Sequence, residues 1–186
     1  DDHLGRLLDK LEQRGIADNT IVLFFGDNGP NGNRYNGKMR GRKGSVHEGG
    51  CRNALFVRYP PSVKAGSRVE PIAAHVDLLP TLADLAGIEI PETKPLDGLS
   101  LAPLLRGETD TLPDRMIFTE WGGRGAVRTQ QYRWVTERGN KSQLYDMRAD
   151  PGEENNIAQD KPELAAKLQK AYEDWCAEWA GFPKSP

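Results

Sequence analysis

The stretch that most constrains this chain is residues 20–52, TIVLFFGDNGPNGNRYNGKMRGRKGSVHEGGCR. It opens on Ile21-Val22-Leu23-Phe24-Phe25, an apolar run without polar alternation. A run this short, rich in β-branched and aromatic residues, predicts a strand covered on both faces, as in a parallel sheet. Asp27-Asn28-Gly29 follows at once, which puts a carboxylate and an amide at the carboxyl end of that strand. In open α/β sheets ligands bind at this edge. Residues 29–50 then carry seven glycines and five Lys or Arg against a single acid, Glu48. Glycine lets backbone approach a ligand closely, and Arg34, Lys38, Arg40, Arg42 and Lys43 make the loop attractive to an anion. Two hard oxygen donors beside such a loop point to a divalent metal facing an oxyanion ester. D-N-G alone is weak and reads better as a turn before a solvated basic loop. The order of strand, D-N-G, basic loop and H-E-G-G favours the site.

The rest of the chain frames this stretch. Residues 1–15 predict an amphipathic helix: Leu4, Leu7, Leu8 and Leu11 recur at helical spacing, acids fill the first turn and Gly15 supplies a left-handed cap. A second strand fits residues 54–59, stopped by Pro60-Pro61, and a third, shorter one fits residues 72–76. Residues 77–87 predict a helix capped by Asp77, with Pro80 in its first turn and Leu78, Leu82 and Leu85 as the buried stripe. Ser100 caps a short helix ending at Gly107. Beyond Thr109 the pattern changes to short strands at 115–121, 125–129, 132–136 and 143–146, an antiparallel meander. A last helix starts at Asp160-Lys161-Pro162 with the stripe Leu164, Leu168, Tyr172, Trp175 and Trp179. Trp121, Trp134 and that stripe read as core.

Composition excludes several classes. With 186 residues, 37% hydrophobic and 28% charged, the chain has material for one domain or one and a half. A net charge of -2 gives nucleic acid no global attraction, so the basic loop is a local feature. No apolar run reaches membrane-spanning length and no signal-peptide pattern opens the chain, whose start reads as internal. Cys51 and Cys176 match neither a disulfide framework nor a zinc spacing, so both read as buried or half-buried thiols.

Asp27-Asn28-Gly29, Gly41-Arg42-Lys43-Gly44 and Glu48-Gly49-Gly50 with Arg52 resemble the second half of a sulfatase catalytic domain. The opening D-D-x-x-G-R-L-L, the run H-V-D-L-L-P-T-L-A-D-L-A-G and the segment L-Y-D-M-R-A-D-P-G-E-E-N-N-I extend the resemblance over nearly the whole chain. It departs at Cys51 and at Asn53-Ala54, where the family usually has an aliphatic residue and Val-Pro. The resemblance implies an α/β fold: the C-terminal part of an alkaline-phosphatase-like sulfatase, with residues 1–108 in the catalytic domain and 109–186 in a subdomain of antiparallel sheet and helix. It assigns Asp27 and Asn28 as metal ligands, for calcium or else magnesium, and Lys43 as the sulfate contact. His47 is the residue to donate a proton to the leaving alcohol or to shape the substrate mouth, while Arg40 and Arg42 read as surface or substrate-rim cations rather than catalytic ones.

The family's nucleophile is a formylglycine made from Cys or Ser in Cys/Ser-x-Pro-x-Arg, and no segment of this chain matches that motif. Two or three strands also leave a parallel edge unpaired, unusual for a finished domain. The expectation is therefore a fragment, inactive alone, whose partners are the remainder of the sulfatase domain and a sulfated small molecule or glycan. Periplasmic, secreted and lysosomal settings all agree with the resemblance. A phosphoester or phosphonate hydrolase of the same superfamily is the alternative, disfavoured because those relatives commonly place His where Asn28 stands. A non-catalytic anion- or glycan-binding module is the second alternative.

Overall fold

The computed structural model describes residues 1–32, 35–91, 95–138 and 142–180, the side chains of residues 179 and 180 excepted. The expectations for Arg34 and for the Trp179 side chain lie outside the described residues. The chain divides into two compact units, Asp1–Phe25 with Ala54–Pro113, and Gly26–Asn53 with Asp114–Pro186.

In the first unit α1 spans Asp2–Gln13 and half-buries Leu4, Leu8 and Leu11. Gly15, at φ 66°, stops it: its N–H bonds Glu12 O at 2.9 Å while Ile16 N–H bonds Leu11 O at 3.1 Å. This pair of bonds closes a helix through a left-handed residue. Strand β1 (Val22–Phe25) pairs with β2 (Leu55–Arg58) antiparallel, Val22 opposite Arg58 and Phe25 opposite Leu55. That corrects the expectation of a parallel strand buried on both faces, since Phe24 is 53% and Phe56 62% exposed. An apolar run specifies extended chain but not its direction. Parallel pairing needs a crossover packed on the same sheet, and the residues between these strands cluster with the other unit instead.

The third expected strand does not form. His75–Asp77 winds into a 3₁₀ turn because the Asp77 carboxylate, fully buried, accepts the N–H groups of Ala74 (2.7 Å) and Leu99 (2.9 Å). Asp77 thus ties two loops together; its side chain does not cap the following helix, Leu78–Ala86. Thr81 extends the tie, donating to Asp77 O at 2.6 Å and accepting from Leu101 N–H at 2.8 Å. Gly98 is needed beside it, because a Cβ there would stand 2.0 Å from Val76 O. Ser100 Oγ accepts Ala102 N–H at 3.2 Å and so starts the short helix Ala102–Arg106.

The second unit holds the expected meander: β3 (Ile117–Trp121), β4 (Arg124–Arg128), β5 (Tyr132–Thr136) and β6 (Gln143–Asp146), antiparallel in that order. Alternation gives the sheet two different faces. Phe118, Val127, Trp134 and Leu144 face one way and pack under a helix, Pro162–Ala180, whose Leu164, Ala165, Leu168 and Tyr172 complete the core. Phe118 stacks on Trp175 at 5.2 Å. Gly125 allows this approach, as a Cβ there would lie 2.2 Å from Tyr172 Cζ. The opposite face carries Ala126, Val135 and Tyr145, which cluster with Val46 from the glycine-rich loop. Trp121 falls on this second face at the end of its strand and is 60% exposed, so its reading as core is corrected. Residues from Phe118 inward lie under the helix; Trp121, by alternation, points away from it.

Candidate functional site

The site is built by the loop Gly26–Asn53 of the second unit. Asp27 is exposed and Asn28 half-buried, and the Asn28 amide donates to Asp27 Oδ2. The turn that presents them is held from behind. Gly29 N–H bonds Gly50 O at 2.9 Å, and the Asn53 amide donates to Asn28 O. Gly29 has no alternative, since a Cβ would meet Gly49 O at 1.9 Å. The basic segment folds onto the same turn: Lys43 N–H bonds Pro30 O at 3.0 Å, leaving the Lys43 side chain exposed. Gly41, at φ 86°, makes the bend before it, and Gly49 N–H bonds Arg40 O at 2.7 Å. Asp27, Asn28 and Lys43 are therefore brought into one loop cluster.

His47 goes elsewhere. It is 3% exposed and sits over the second sheet face, its ring edge-on to Tyr145 at 6.3 Å. Nδ1 pairs with Glu153 Oε2, and Nε2 lies 3.3 Å from Glu137 Oε1. Glu48 beside it is also buried. Arg133 donates to Glu48 Oε2 from Nη2 at 2.5 Å and from Nε at 3.1 Å, while Arg128 Nε reaches the same oxygen at 3.3 Å. Arg133 Nη1 donates to Val46 O at 2.7 Å. Burial pushes the Glu48 carboxyl up, but Arg133, then Arg128 and Arg52, outweigh it and hold the group below its ordinary value of 4.5. Arg40, expected at the rim, is exposed yet anchored, donating to Tyr145 Oη at 2.6 Å and Gln143 Oε1 at 3.2 Å.

Glu153 organises this cluster, and sequence reasoning missed it. Its carboxylate takes the Glu48 N–H at 2.7 Å and His47 Nδ1, and lies 3.4 Å from Arg133 Nε. It holds φ 58°, a region non-glycine residues rarely occupy. The Asp150 side chain fixes that conformation by accepting Glu154 N–H (3.0 Å) and Asn155 N–H (2.8 Å). One signal was available. Arg124, Arg128, Arg133 and Tyr145 occupy the same face by period-two alternation, which marks that face as the receiver of an acidic segment.

Aspartate carboxylate and asparagine amide each carry a hard oxygen of the kind calcium and magnesium take; here the Asn28 amide nitrogen is what faces the Asp27 carboxylate. Among the described residues no group of three or more His, Cys, Asp or Glu is placed to hold a metal. Nor is any described helix long and apolar enough to cross a membrane. Cys51 and Cys176 are free, half-buried thiols, as expected.

Comparison with known proteins agrees over most of the chain. A family model described as Sulfatase matches residues 1–88. An N-acetylglucosamine-6-O-sulfatase of Bacteroides thetaiotaomicron is 34% identical over 201 residues, covering 94% of this chain and 34% of the relative. Human arylsulfatase A is 33% identical over 187 residues, covering 83% and 36%. A structure solved with its substrate D-glucosamine-2-N,6-O-disulfate superposes with a TM-score of 0.71 at 32% identity, covering 93% of this chain and 38% of that one. The chain spans about a third of the length of the curated relatives it matches.

Proposed function

Because the chain belongs to the sulfatase family, we propose that it supplies the metal- and sulfate-binding residues of a sulfuric ester hydrolase. The observation that carries this is the loop cluster in which Asp27 meets Asn28 while the Lys43 backbone docks on Pro30. Asp27 and Asn28 hold calcium, or magnesium, which supplies electrostatic stabilisation of the sulfuryl oxygens when bound. Two oxygen donors are fewer than the six to eight that calcium takes, so residues outside these 186 complete the cage. They also contribute the formylglycine nucleophile, and the chain by itself is inactive. Lys43 places a compact ammonium against the sulfate, where negative charge grows in the transition state. His47 acts by shaping the loop, its ring being held by Glu153 and Glu137. The relatives that act on or were solved with sulfated sugars favour a sulfated glycan or small molecule as substrate.

The test is the Lys43→Ala variant of the full-length protein, assayed on an aryl sulfate with calcium. The expected result is a fall in kcat of about 10²–10³, the usual cost of one transition-state electrostatic contact. Unchanged kinetics would remove the role from Lys43. Turnover by the 186-residue polypeptide that disappears in Asp27→Ala would overturn the division of labour.

A further inference from the structure

We infer that Trp121, Arg124 and Arg138 form a subsite for the leaving-group side of the substrate, taking a sugar ring that carries a second anionic group. The inference rests on the sulfate-ester reading above. The loop that carries Lys43 comes close to this place. Lys43 N–H is held by Pro30 O at 3.0 Å, and the next residue, Gly44, faces Trp121: a Cβ on Gly44 would lie 3.8 Å from the indole Nε1. The indole therefore stands beside the residue that follows the sulfate contact.

The aromatic residues on the other sheet face are covered by the C-terminal helix, whereas Trp121 is 60% exposed. Beside it, at the Gly122-Gly123 turn, two guanidinium groups converge. A Cβ on Gly122 would lie 3.2 Å from Arg138 Nη2 and 4.0 Å from Arg124 Nη2. Arg138 is fixed there by donating from Nε to Gly122 O at 2.5 Å. Two acids stand nearby and are engaged elsewhere: the Glu120 carboxylate accepts Gly123 N–H at 2.9 Å, and Glu137 Oε1 lies 3.3 Å from His47 Nε2. Two like charges on one turn repel, and an anion between them relieves the repulsion. Guanidinium groups suit sulfate and carboxylate because their planar forks match those oxygens. An exposed indole offers a flat apolar face with a polar edge, which suits the C–H face of a pyranose. Both features together select an acidic saccharide over a plain aryl or alkyl ester.

The test is calorimetric titration of the full-length protein in calcium with three probes: a disulfated heparin disaccharide, its monosulfated counterpart and sodium sulfate. Trp121→Ala and the double variant Arg124→Gln/Arg138→Gln should each weaken the disulfated disaccharide roughly tenfold. Neither should change the affinity for sodium sulfate. The monosulfated probe should bind the double variant as tightly as the disulfated one does. Trp121→Phe should retain most of the affinity, and an unfolding midpoint equal to the parent's separates a lost contact from a lost fold. Equal disaccharide affinity in parent, Trp121→Ala and the double variant would overturn the subsite. Aryl sulfate turnover lost in Lys43→Ala, with the disaccharide affinities unmoved, would leave the reaction standing and remove the subsite alone. Saccharide binding that depends on Trp121 in a protein without sulfate-ester turnover would do the opposite.

Discussion

Replacing Glu153 by Ala is the most searching perturbation of the loop that carries the site. The residue is 1% exposed, and its carboxylate serves Glu48 N–H, His47 Nδ1 and Arg133 at once. Removing one member of a buried ion pair costs about 3–5 kcal/mol, and each hydrogen bond to a charged group about 1.5–3 kcal/mol. Arg133 keeps Glu48 at 2.5 Å, so its charge stays compensated. The lower end applies, about 3 kcal/mol. For a chain of this length that is a fall in Tm of about 6–12 °C. Intrinsic fluorescence is a clean readout, because all four tryptophans lie in the second unit. The exposed neighbour Glu154 is the control, and Glu154→Ala should stay within about 0.5 kcal/mol of the parent. A Glu153→Ala midpoint within about 1 °C of the parent would refute the claim that this carboxylate holds the loop.

Two other buried carboxylates, Glu48 and Asp77, give further outcomes. Glu48, held below 4.5 by Arg133, Arg128 and Arg52, stabilises the second unit above its unfolded pKa, and that contribution is lost as pH falls through the lower folded value; acid titration of tryptophan emission should show a transition below 4.5, and Glu48→Gln should flatten it while lowering stability at neutral pH. In the first unit, Asp77→Ala strands the N–H groups of Ala74 and Leu99 and should cost about 2–4 kcal/mol, seen as an earlier loss of far-ultraviolet circular dichroism on heating.

Local signals in the sequence were sufficient for much of this protein. The leucine spacing and Gly15 gave the first helix and its end, the alternating strands of the C-terminal half gave the meander, and D-N-G with G-R-K-G marked the loop that gathers Asp27, Asn28 and Lys43. These features depend on residues within a few positions of each other, where side-chain period and backbone φ leave few choices. Tertiary structure decided what depends on partners distant in sequence. The apolar run of β1 did not state its direction, and the antiparallel return of Leu55–Arg58 did. Nothing near His47 in the chain announces Glu153, 106 residues away, yet that carboxylate pairs with the buried imidazole that the letters H-E-G-G offered as an acid. Trp121 looked like core because it is large and apolar, and only its register on β3 turned it away from the covering helix. A buried charge or an exposed indole is settled by what the chain brings opposite it, and that information is non-local.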